Sequence, residues 1–355
     1  MKIGILTYHK AHNYGALLQA IAMRVVLQKK GYEVFYVDYW PKYHSSKYRF
    51  FSLLQFRLGL HKYLLHRLSN FKPIWKRIKC FKQDIADYIE PYCDKGGRYE
   101  AIIYGSDQIW RRQSETGKYN HIYFGNNSFV AERHFSYAAS MGVINPSDEE
   151  KKNIKEWLLH LDAIGVREQD LQKLLTELGF QPQLNVDPTL LLNDVDWDVI
   201  LDTKRIIDDK YLFYYNLNED TFKREAIEQY AQKRGLRIIE VYGNAHKEKK
   251  DSYSAIGISN FVSYIKYAEV VFSTSYHGLV FSLIYNKKVY VSFKSNARRA
   301  KSLLDYLDIG NCVIQPHADI YPEINIDYLN VKQKLSKLRK DSCDFLNKNL
   351  PNDDK

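Results

Sequence analysis

The stretch at residues 270–288, VVFSTSYHGLVFSLIYNKK, constrains the fold more than any other part of the sequence. Its apolar run at 270–272 suits a strand covered on both faces, and apolar residues then recur at helical spacing over 279–284. Residues 289–293 have the pattern of the next strand. The stretch therefore predicts a β-turn-α-β unit of a parallel sheet, with hydroxyl groups and one imidazole in its turn.

Polar residues fill this turn at a position where open α/β sheets bind ligands. Such sheets bind ligands at the carboxyl ends of their strands, and a helix N-terminus offers free N–H groups and a positive dipole end to an anion. Ser273, Ser275, His277 and Gly278 are therefore candidates for binding an anionic substrate. In the alternative interpretation, Ser275 only caps the helix and His277 packs beneath a loop.

The start of the chain repeats this organisation. Residues 2–7 (KIGILT) and 33–39 (EVFYVDY) have the pattern of strands, and an apolar helical stripe lies between them. The loop after the first strand holds His12, Asn13 and Gly15. A single glycine near that turn does not make a dinucleotide-binding fingerprint, which needs three glycines at fixed spacing.

Further apolar runs also end in polar residues. The run at 101–104 leads into Asp107, the run at 163–166 leads into Arg167, and a third run precedes Asp187. Asp107 is expected at a ligand-facing position because the carboxyl ends of parallel strands meet at one edge. Asp107 could instead cap a following helix, and Asp187, which precedes a proline, is interpreted as mainly structural.

The chain changes character after residue 193. The next segment is acid-rich and poorly periodic, as expected of a crossing between domains, and a second α/β series follows it. A length of 355 residues fits two domains. The predicted parts are an N-terminal α/β domain at 1–193 with a basic insertion at about 42–83, a linker at 194–209, a second α/β domain at 210–325, and a terminal helix at 326–355 that packs back across the domains.

Positive charge is concentrated in the insertion. The formal net charge is +10, and residues 39–83 contain eleven lysines and arginines but no aspartate or glutamate. Aromatic and aliphatic residues alternate with these cations, as in basic amphipathic helices on anionic membranes. The alternative is a core-packing helical pair whose lysines face solvent. Nucleic acid is not an expected partner, because no zinc-ligand spacing, recognition helix or RNP-like motif accompanies the charge.

Other sequence features indicate a cytoplasmic protein without a metal. Four scattered cysteines form no CxxC pair and resemble reduced thiols, and no HExxH motif or His/Asp cluster is present. The N-terminus has no signal-peptide pattern, and no apolar run is long enough to span a bilayer. Any membrane attachment, at the inner face of the cytoplasmic membrane, would therefore be peripheral.

Six motifs together resemble the polysaccharide pyruvyl transferases. They occur in the family's order and cover nearly the whole chain: GILTYHKAHNYGALLQA, GSDQIW, FSYAAS, VREQD, VDPTLLL and STSYHGLVFSLIYNKK. The resemblance implies a GT-B-like α/β fold, in which two Rossmann-type domains with parallel sheets face an interdomain cleft. It also implies transfer of the pyruvyl group of phosphoenolpyruvate onto a sugar of a bacterial surface polysaccharide precursor, giving a cyclic ketal and phosphate.

The resemblance also implies roles for individual residues. His277 is the expected acid or phosphate-binding group, and Asp107 is the expected base or orienting group for the sugar hydroxyl. His12, Asn13 and Gly15 are predicted on the acceptor side. Phosphoenolpyruvate is the co-substrate, and no further cofactor is expected. Two alternatives remain, a glycosyltransferase of this fold that uses a nucleotide sugar and a non-catalytic glycan-binding protein.

The sequence departs from the family at one position. Many relatives have an arginine two residues before the histidine, where this chain has Ser275. A cation for the donor must therefore come from elsewhere, because carboxylate and phosphate groups are suited to bidentate recognition by arginine. Arg167 is the first candidate, and Arg298 and Arg299 at the start of a later helix are the next.

Overall fold

Two parallel β-sheets with helices on their faces form the protein, which confirms the predicted α/β class with a GT-B-like pair of Rossmann-type sheets. The computed structural model describes residues 1–48, 68–94, 96–114, 116–217, 221–244, 248–293 and 297–351. The strands are β1 (Lys2–Leu6), β2 (Glu33–Val37), β3 (Cys93–Asp94), β4 (Arg98–Tyr104), β5 (Val130–Ala139), β6 (Ala163–Val166), β7 (Gln183–Leu184), β8 (Tyr211–Asn216), β9 (Arg237–Tyr242), β10 (Ser252–Tyr253), β11 (Val270–Ser273) and β12 (Lys288–Val291). The helices are α1 (Tyr14–Lys29), α2 (Lys42–Lys47), α3 (Phe71–Tyr88), α4 (Asp148–Leu158), α5 (Gln169–Glu177), α6 (Asp194–Leu201), α7 (Arg224–Lys233), α8 (Ile258–Tyr267), α9 (Tyr276–Ile284), α10 (Ala297–Leu307) and α11 (Tyr328–Asn349).

The first sheet has seven parallel strands in the order β3-β2-β1-β4-β5-β6-β7. β1 pairs with β2 on one side and with β4 on the other, so the strand order reverses between β1 and β4. This reversal, here called the switch point, is where doubly wound sheets bind ligands outside the carboxyl ends of their strands. The loop after β1 and the turn after β4 therefore border the first ligand position.

The second sheet repeats the same winding with five strands, in the order β10-β9-β8-β11-β12. β8 pairs with both β9 and β11, so its switch point lies between β8 and β11. All four residues of β11, VVFS, are buried, as expected of a central strand covered on both faces. The turn that follows β11 is the one for which the sequence predicts an anion-binding site.

Helix α1 joins the two halves. Thirteen of its sixteen residues are buried, because it packs against α8 and α9 of the second half as well as against its own sheet. Its first residue, Tyr14, donates a hydrogen bond to the carbonyl of Ile256 and accepts one from the same residue's N–H, both at 3.0 Å. The Tyr14 ring stacks on Phe261 with a centroid distance of 4.4 Å.

Helix α3, from the second part of the basic insertion, also bridges the halves. The Arg77 guanidinium donates to the carbonyls of His12 (3.0 Å), Tyr242 (3.3 Å) and Ser254 (3.0 Å). The Asp84 carboxylate accepts the backbone N–H of Ile258, the first residue of α8, at 3.2 Å. Residues 49–67 of the predicted insertion lie outside the described residues. The described part of this segment therefore packs against the core, as the alternative interpretation predicts, and it also bridges the two halves.

The segment predicted as an irregular linker begins with a helix. In α6, Asn193 and Asp196 form a reciprocal capping box, and Trp197 is buried. The acidic residues that obscured the helical period lie in the first turn of α6. Their negative charges there interact favourably with the positive end of the helix dipole. The domain bounds remain a prediction. The final helix, α11, contacts both β5 and α10, and the Ser342 hydroxyl accepts the N–H of Val186 at 3.0 Å.

Candidate active site

The turn after β11 is held by its own hydroxyl groups. The Ser273 hydroxyl accepts the N–H of Ser275 at 3.0 Å, and the Thr274 hydroxyl accepts the N–H of Leu217 at 2.8 Å. Ser275 occupies the N-cap position of α9 but makes no side-chain capping bond, so the capping interpretation is wrong. Gly278 is required because a Cβ there would overlap the Ser273 hydroxyl. Among the described residues, no side chain therefore caps the N-terminus of α9, the kind of helix end that binds anions.

His277 lies where the two halves meet. It is in the first turn of α9 and buried, and its ring lies so close to Gly15 of α1 that a Cβ on Gly15 would overlap Nδ1. Gly15, which is predicted on the acceptor side, therefore packs against His277. Its Nε2 atom is 3.4 Å from Oδ2 of Asp187. Nδ1 has no hydrogen-bond partner in the part of the chain that the structure describes.

Asp187 is the centre of the site. The carboxylate is fully buried, and its Oδ1 atom accepts the Thr189 N–H at 2.9 Å and the Thr189 hydroxyl at 2.6 Å. Its Oδ2 atom lies 2.9 Å from Nη1 of Arg167 and faces His277. Burial by itself would raise the pKa of Asp187, but the Arg167 charge and His277 outweigh it and hold that pKa well below its usual range. Asp187 is therefore an ionised carboxylate that lies between Arg167 and His277, the two candidate functional residues.

Arg167 follows β6 and is buried in the same place. Its Nη2 atom donates to the backbone carbonyl of Ser106 and, at 2.9 Å, to the Ser106 hydroxyl. Burial opposes the charge of the guanidinium, but Asp187 and the Tyr276 side chain outweigh it and raise the pKa of Arg167. Its guanidinium carbon is 5.6 Å from the centre of the Tyr276 ring. We call Arg167, Asp187 and His277 the Arg-Asp-His network.

A buried hydrogen-bond chain extends the network to the first switch point. The side-chain oxygen Oε1 of Gln19 accepts hydrogen bonds from the Ser106 hydroxyl at 2.9 Å and from the Ser106 N–H at 3.1 Å. The Gln19 amide in turn donates to the Thr7 hydroxyl at 3.0 Å. Sequence reasoning missed Gln19 and Ser106. The signal for Gln19 was a polar residue inside an otherwise apolar helical stripe.

Asp107 lies in the turn after β4. Its Oδ1 atom accepts the N–H of Gln108 at 2.7 Å, and no helix begins at Asp107 in residues 96–114, so helix capping is not its role. Its charge contributes to the raised pKa of Arg167, which places it within electrostatic range of the network. The preceding Gly105 has φ +135°, and a Cβ there would overlap the carbonyl of Tyr137. Glycine is therefore required to form this turn.

The two polar residues of the first loop have different surroundings. The Asn13 side chain accepts the N–H of Ala16 at 3.1 Å and caps α1. The His12 ring lies between Tyr48 and Phe81, with centroid distances of 4.5 and 5.5 Å. Burial, with nearby Arg77 and Lys82, lowers the pKa of His12 to about 4. The His12 ring is thus neutral and packs against Phe81 of α3. Its contact with the acceptor remains a prediction.

A small cavity lies beside the network, between the two halves. It encloses about 60 Å³, and its lining includes Arg167, Asp187, Asn185, Tyr276 and Ser302. Ser302 belongs to α10, whose first turn contains Arg298 and Arg299. The side chains of those two arginines lie outside the described residues. The sequence therefore identified the helix that closes this cavity, and the donor-binding role of its arginines remains a prediction.

Arg111 is a cation that sequence reasoning missed. Its Nε atom is buried and has no hydrogen-bond partner among the described residues. Arg111 follows Asp107 by four residues, in the segment after β4. Within the described ranges, no group of three His, Cys, Asp or Glu side chains converges as metal ligands do.

Comparison with known proteins gives a family. A model of the polysaccharide pyruvyl transferase family matches residues 13–292. This match contains Asn13, Asp107, Arg167, Asp187 and His277, the residues of the two loops and of the network. A search of curated proteins gave no significant match.

Several solved structures show a distant similarity to this chain. A UDP-GlcNAc 2-epimerase from Neisseria meningitidis has 10% identity and a TM-score of 0.45, covering 96% of this chain and 92% of that one. The corresponding enzyme from Methanocaldococcus jannaschii has 9% identity and a TM-score of 0.43, covering 95% and 92%. The spinosyn forosaminyltransferase SpnP has 10% identity and a TM-score of 0.39, covering 96% and 94%. Similarity at this level says nothing about substrate.

Proposed function

The chain belongs to the polysaccharide pyruvyl transferase family, and from that premise we propose that it transfers the pyruvyl group of phosphoenolpyruvate onto a sugar. The product is a cyclic ketal on a bacterial surface polysaccharide precursor, such as capsule or exopolysaccharide, and phosphate is released. The observation that carries this proposal is the Arg-Asp-His network, buried where the switch points of the two sheets meet.

The donor end of the reaction fits the turn after β11. The uncapped N-terminus of α9 and its helix dipole favour binding of an anion. His277 lies in the first turn of this helix. In the proposed step His277 gives a proton to C3 of phosphoenolpyruvate, which leaves a cation at C2. Asp187 faces Nε2 of the imidazole at 3.4 Å and is placed to orient the ring for this transfer.

The acceptor end of the reaction needs a base for the sugar. The first sugar hydroxyl attacks C2 and passes its proton to Asp107, which lies within electrostatic range of Arg167. A second hydroxyl of the same sugar closes the ketal as the bond between C2 and the phosphate oxygen breaks. One of the two hydroxyl protons replaces the proton that C3 received, and the other leaves with phosphate.

Cations for the donor come from two places in this proposal. Arg167 is already paired with Asp187 at 2.9 Å, so part of its charge is neutralised before a ligand arrives. Arg111 supplies a second positive charge on the side of Asp107, and its Nε is unpartnered in the described ranges. These residues would compensate for Ser275, which holds no charge.

The proposal is tested by mass spectrometry of an acceptor panel. The full chain is incubated with phosphoenolpyruvate and a series of free or lipid-linked oligosaccharides, and we expect one acceptor to gain the pyruvyl mass with release of phosphate. A panel without any product, together with no binding of phosphoenolpyruvate by calorimetry, would refute the proposal.

A glycosyltransferase that uses a nucleotide sugar is the second candidate. The uncapped N-terminus of α9 at a switch point would also suit a diphosphate. Calorimetry separates the two functions, because a glycosyltransferase would bind a nucleoside diphosphate and ignore phosphoenolpyruvate. A protein that binds glycans without catalysis would bind the acceptor and release no phosphate.

A further inference from the structure

One face of α3 exposes large apolar side chains to solvent. Phe71 and Trp75 are 47% and 55% exposed, and Leu68, just before the helix, is 61% exposed. The Phe71 and Trp75 rings stack on each other, with centroids 6.3 Å apart and planes 7° from parallel. Ile74 and Phe81 on the other face are buried. The rings of Phe71 and Trp75 thus keep about half of their surface exposed to solvent.

Positive charge accompanies these rings. Lys72, Lys79 and Lys82 are exposed, and helical spacing places them on the same side of α3 as Phe71 and Trp75. No acidic residue occurs between positions 68 and 83. The first acid, Asp84, is buried on the opposite side, where it binds the N–H of Ile258. We call Phe71, Lys72, Trp75, Lys79 and Lys82 the exposed α3 face.

Helix α3 packs on the rest of the protein with the side opposite to its exposed face. Arg77 and Asp84 lie on that packed side. Arg77 donates at 3.0 Å to the carbonyl of His12 in the loop after β1, which borders the switch point of the first sheet. The exposed α3 face is therefore on the outer side of the helix, away from these contacts.

We propose that the exposed α3 face docks the protein on an anionic phospholipid surface. Stacked aromatic rings with surrounding lysines suit the headgroup region, where the rings enter the acyl boundary and the ammonium groups remain with the phosphates. A second copy of the chain would bring lysines against lysines. Nucleic acid is disfavoured because no zinc-ligand spacing, recognition helix or RNP-like motif accompanies the charge.

No helix in the described ranges could cross a bilayer, so the proposal concerns surface binding alone. It is tested by sedimentation of the full chain with vesicles of equimolar phosphatidylglycerol and phosphatidylethanolamine, without substrate. The double variant Lys72→Ser/Lys79→Ser should bind about 25-fold more weakly, because each lysine near an anionic surface contributes about fivefold. Phe71→Ser/Trp75→Ser should also lose most of the binding.

Matched controls come from α11. Leu329 is 77% exposed and Lys332 and Lys337 are exposed, so Leu329→Ser and Lys332→Ser/Lys337→Ser should bind as the wild type does. Trp75→Phe should retain binding but lose part of the blue shift of tryptophan fluorescence on vesicle addition. Circular dichroism checks that each variant is folded.

Several results would overturn the proposal. They are absence of binding to the anionic vesicles, equal binding to phosphatidylcholine vesicles, and unchanged binding of both α3 variants. Binding of single-stranded RNA that competes with vesicles and depends on Trp75 would assign the exposed α3 face to nucleic acid instead. A dimer of the wild type that both α3 variants convert to monomer would assign it to a second copy. Because no substrate is present, none of these results depends on the pyruvyl transfer reaction.

Discussion

A single carboxylate organises the candidate site. Oδ2 of Asp187 faces Nη1 of Arg167 at 2.9 Å and Nε2 of His277 at 3.4 Å, while Oδ1 is held by Thr189. A buried charge is tolerated only when it is paired and hydrogen-bonded, and Asp187 meets both conditions. In the proposed mechanism Asp187 is a positioning residue, because it would act on the substrate only through His277 and Arg167.

Replacing His277 tests the proposed proton donor. We expect His277→Ala to lower phosphate release from phosphoenolpyruvate by at least about a hundredfold, which is the usual contribution of a general acid. The matched control is His160→Ala, because His160 is exposed and outside the cleft. If His277→Ala released phosphate at the wild-type rate while folded, the mechanism would be wrong.

Replacing Asp187 tests the buried ion pair. We expect Asp187→Asn to lower the free energy of unfolding by about 3 kcal/mol at neutral pH, because Arg167 loses its buried partner. The low pKa of Asp187 means that its contribution is complete above its unfolded value of about 4 and is lost as the pH falls further.

Urea denaturation at several pH values measures this contribution. The difference between the wild type and Asp187→Asn should be constant between neutral pH and about pH 4 and should shrink below that pH. Asp148→Asn is the control, since Asp148 is exposed in the first turn of α4. A difference that disappeared already near pH 6 would contradict the assignment.

At the scale of elements, two helices hold the halves together around the site. α1 brings Gly15 against His277, and α3 reaches α8 through Asp84. Both contacts use a helix N-terminus: the first turn of α1 receives the His277 ring, and the first N–H of α8 receives a carboxylate. Helix termini have free donors and little side-chain bulk, so they can approach a neighbour closely.

Adding one methyl group at Gly15 tests the contact between α1 and α9. We expect Gly15→Ala to lower transfer activity by about tenfold or more, because the new Cβ would displace the His277 ring and a small misplacement of a catalytic group is costly. Gly310→Ala is the control, since no atom lies within 4 Å of a Cβ at that position. Equal activity of the two variants in the phosphate-release assay would show that His277 tolerates the shift.

Asp84 predicts a pH dependence of stability. Burial, only partly offset by the Ile258 N–H, raises the pKa of Asp84 from 3.8 to about 7. The folded chain therefore holds this proton more tightly than the unfolded chain, so the wild type should become more stable as the pH falls from about 7 toward about 4.

Asp84→Asn isolates that effect, because it keeps an oxygen for Ile258 and removes the titration. Thermal unfolding should show a weaker pH dependence for Asp84→Asn than for the wild type within this window. Asp148→Asn serves as the control, since Asp148 is exposed in the first turn of α4, away from Asp84. Parallel pH profiles for the wild type and Asp84→Asn would contradict the prediction.

At the scale of the whole molecule, both parallel sheets reverse their strand order at a switch point, and the loops at the two switch points lie against each other. β1 and β4 supply the loops of one side, and β8 and β11 supply those of the other. The ligand region is therefore shared, and neither half contains the Arg-Asp-His network alone, because His277 follows β11 while Arg167 and Asp187 precede β8. Catalysis in this arrangement depends on the alignment of the halves.

Arg77 tests that alignment. We expect Arg77→Met to destabilise the protein by about 2 kcal/mol and to raise the KM for the acceptor, because three carbonyls from both halves lose a charged donor. Lys233→Met, at an exposed lysine in the last turn of α7, is the control. Urea denaturation measures the free energy of unfolding, and steady-state kinetics measure the KM for the acceptor. If both values equalled those of the control variant, Arg77 of α3 would not be needed to hold the two halves together.

The sequence by itself determined the repeated βαβ order, the two switch-point turns and the candidates His277, Asp107 and Arg167, because strand and helix periods and polar turn residues are local properties of the chain. It did not determine what those residues contact. Asp187 was interpreted as structural and the pairing of Gly15 with His277 was not foreseen, since these partners are separated by many residues and meet only when the two sheets pack together. The basic insertion shows the same limit, because its charge was visible while the bridging role of Arg77 and Asp84 depended on which face of α3 became buried.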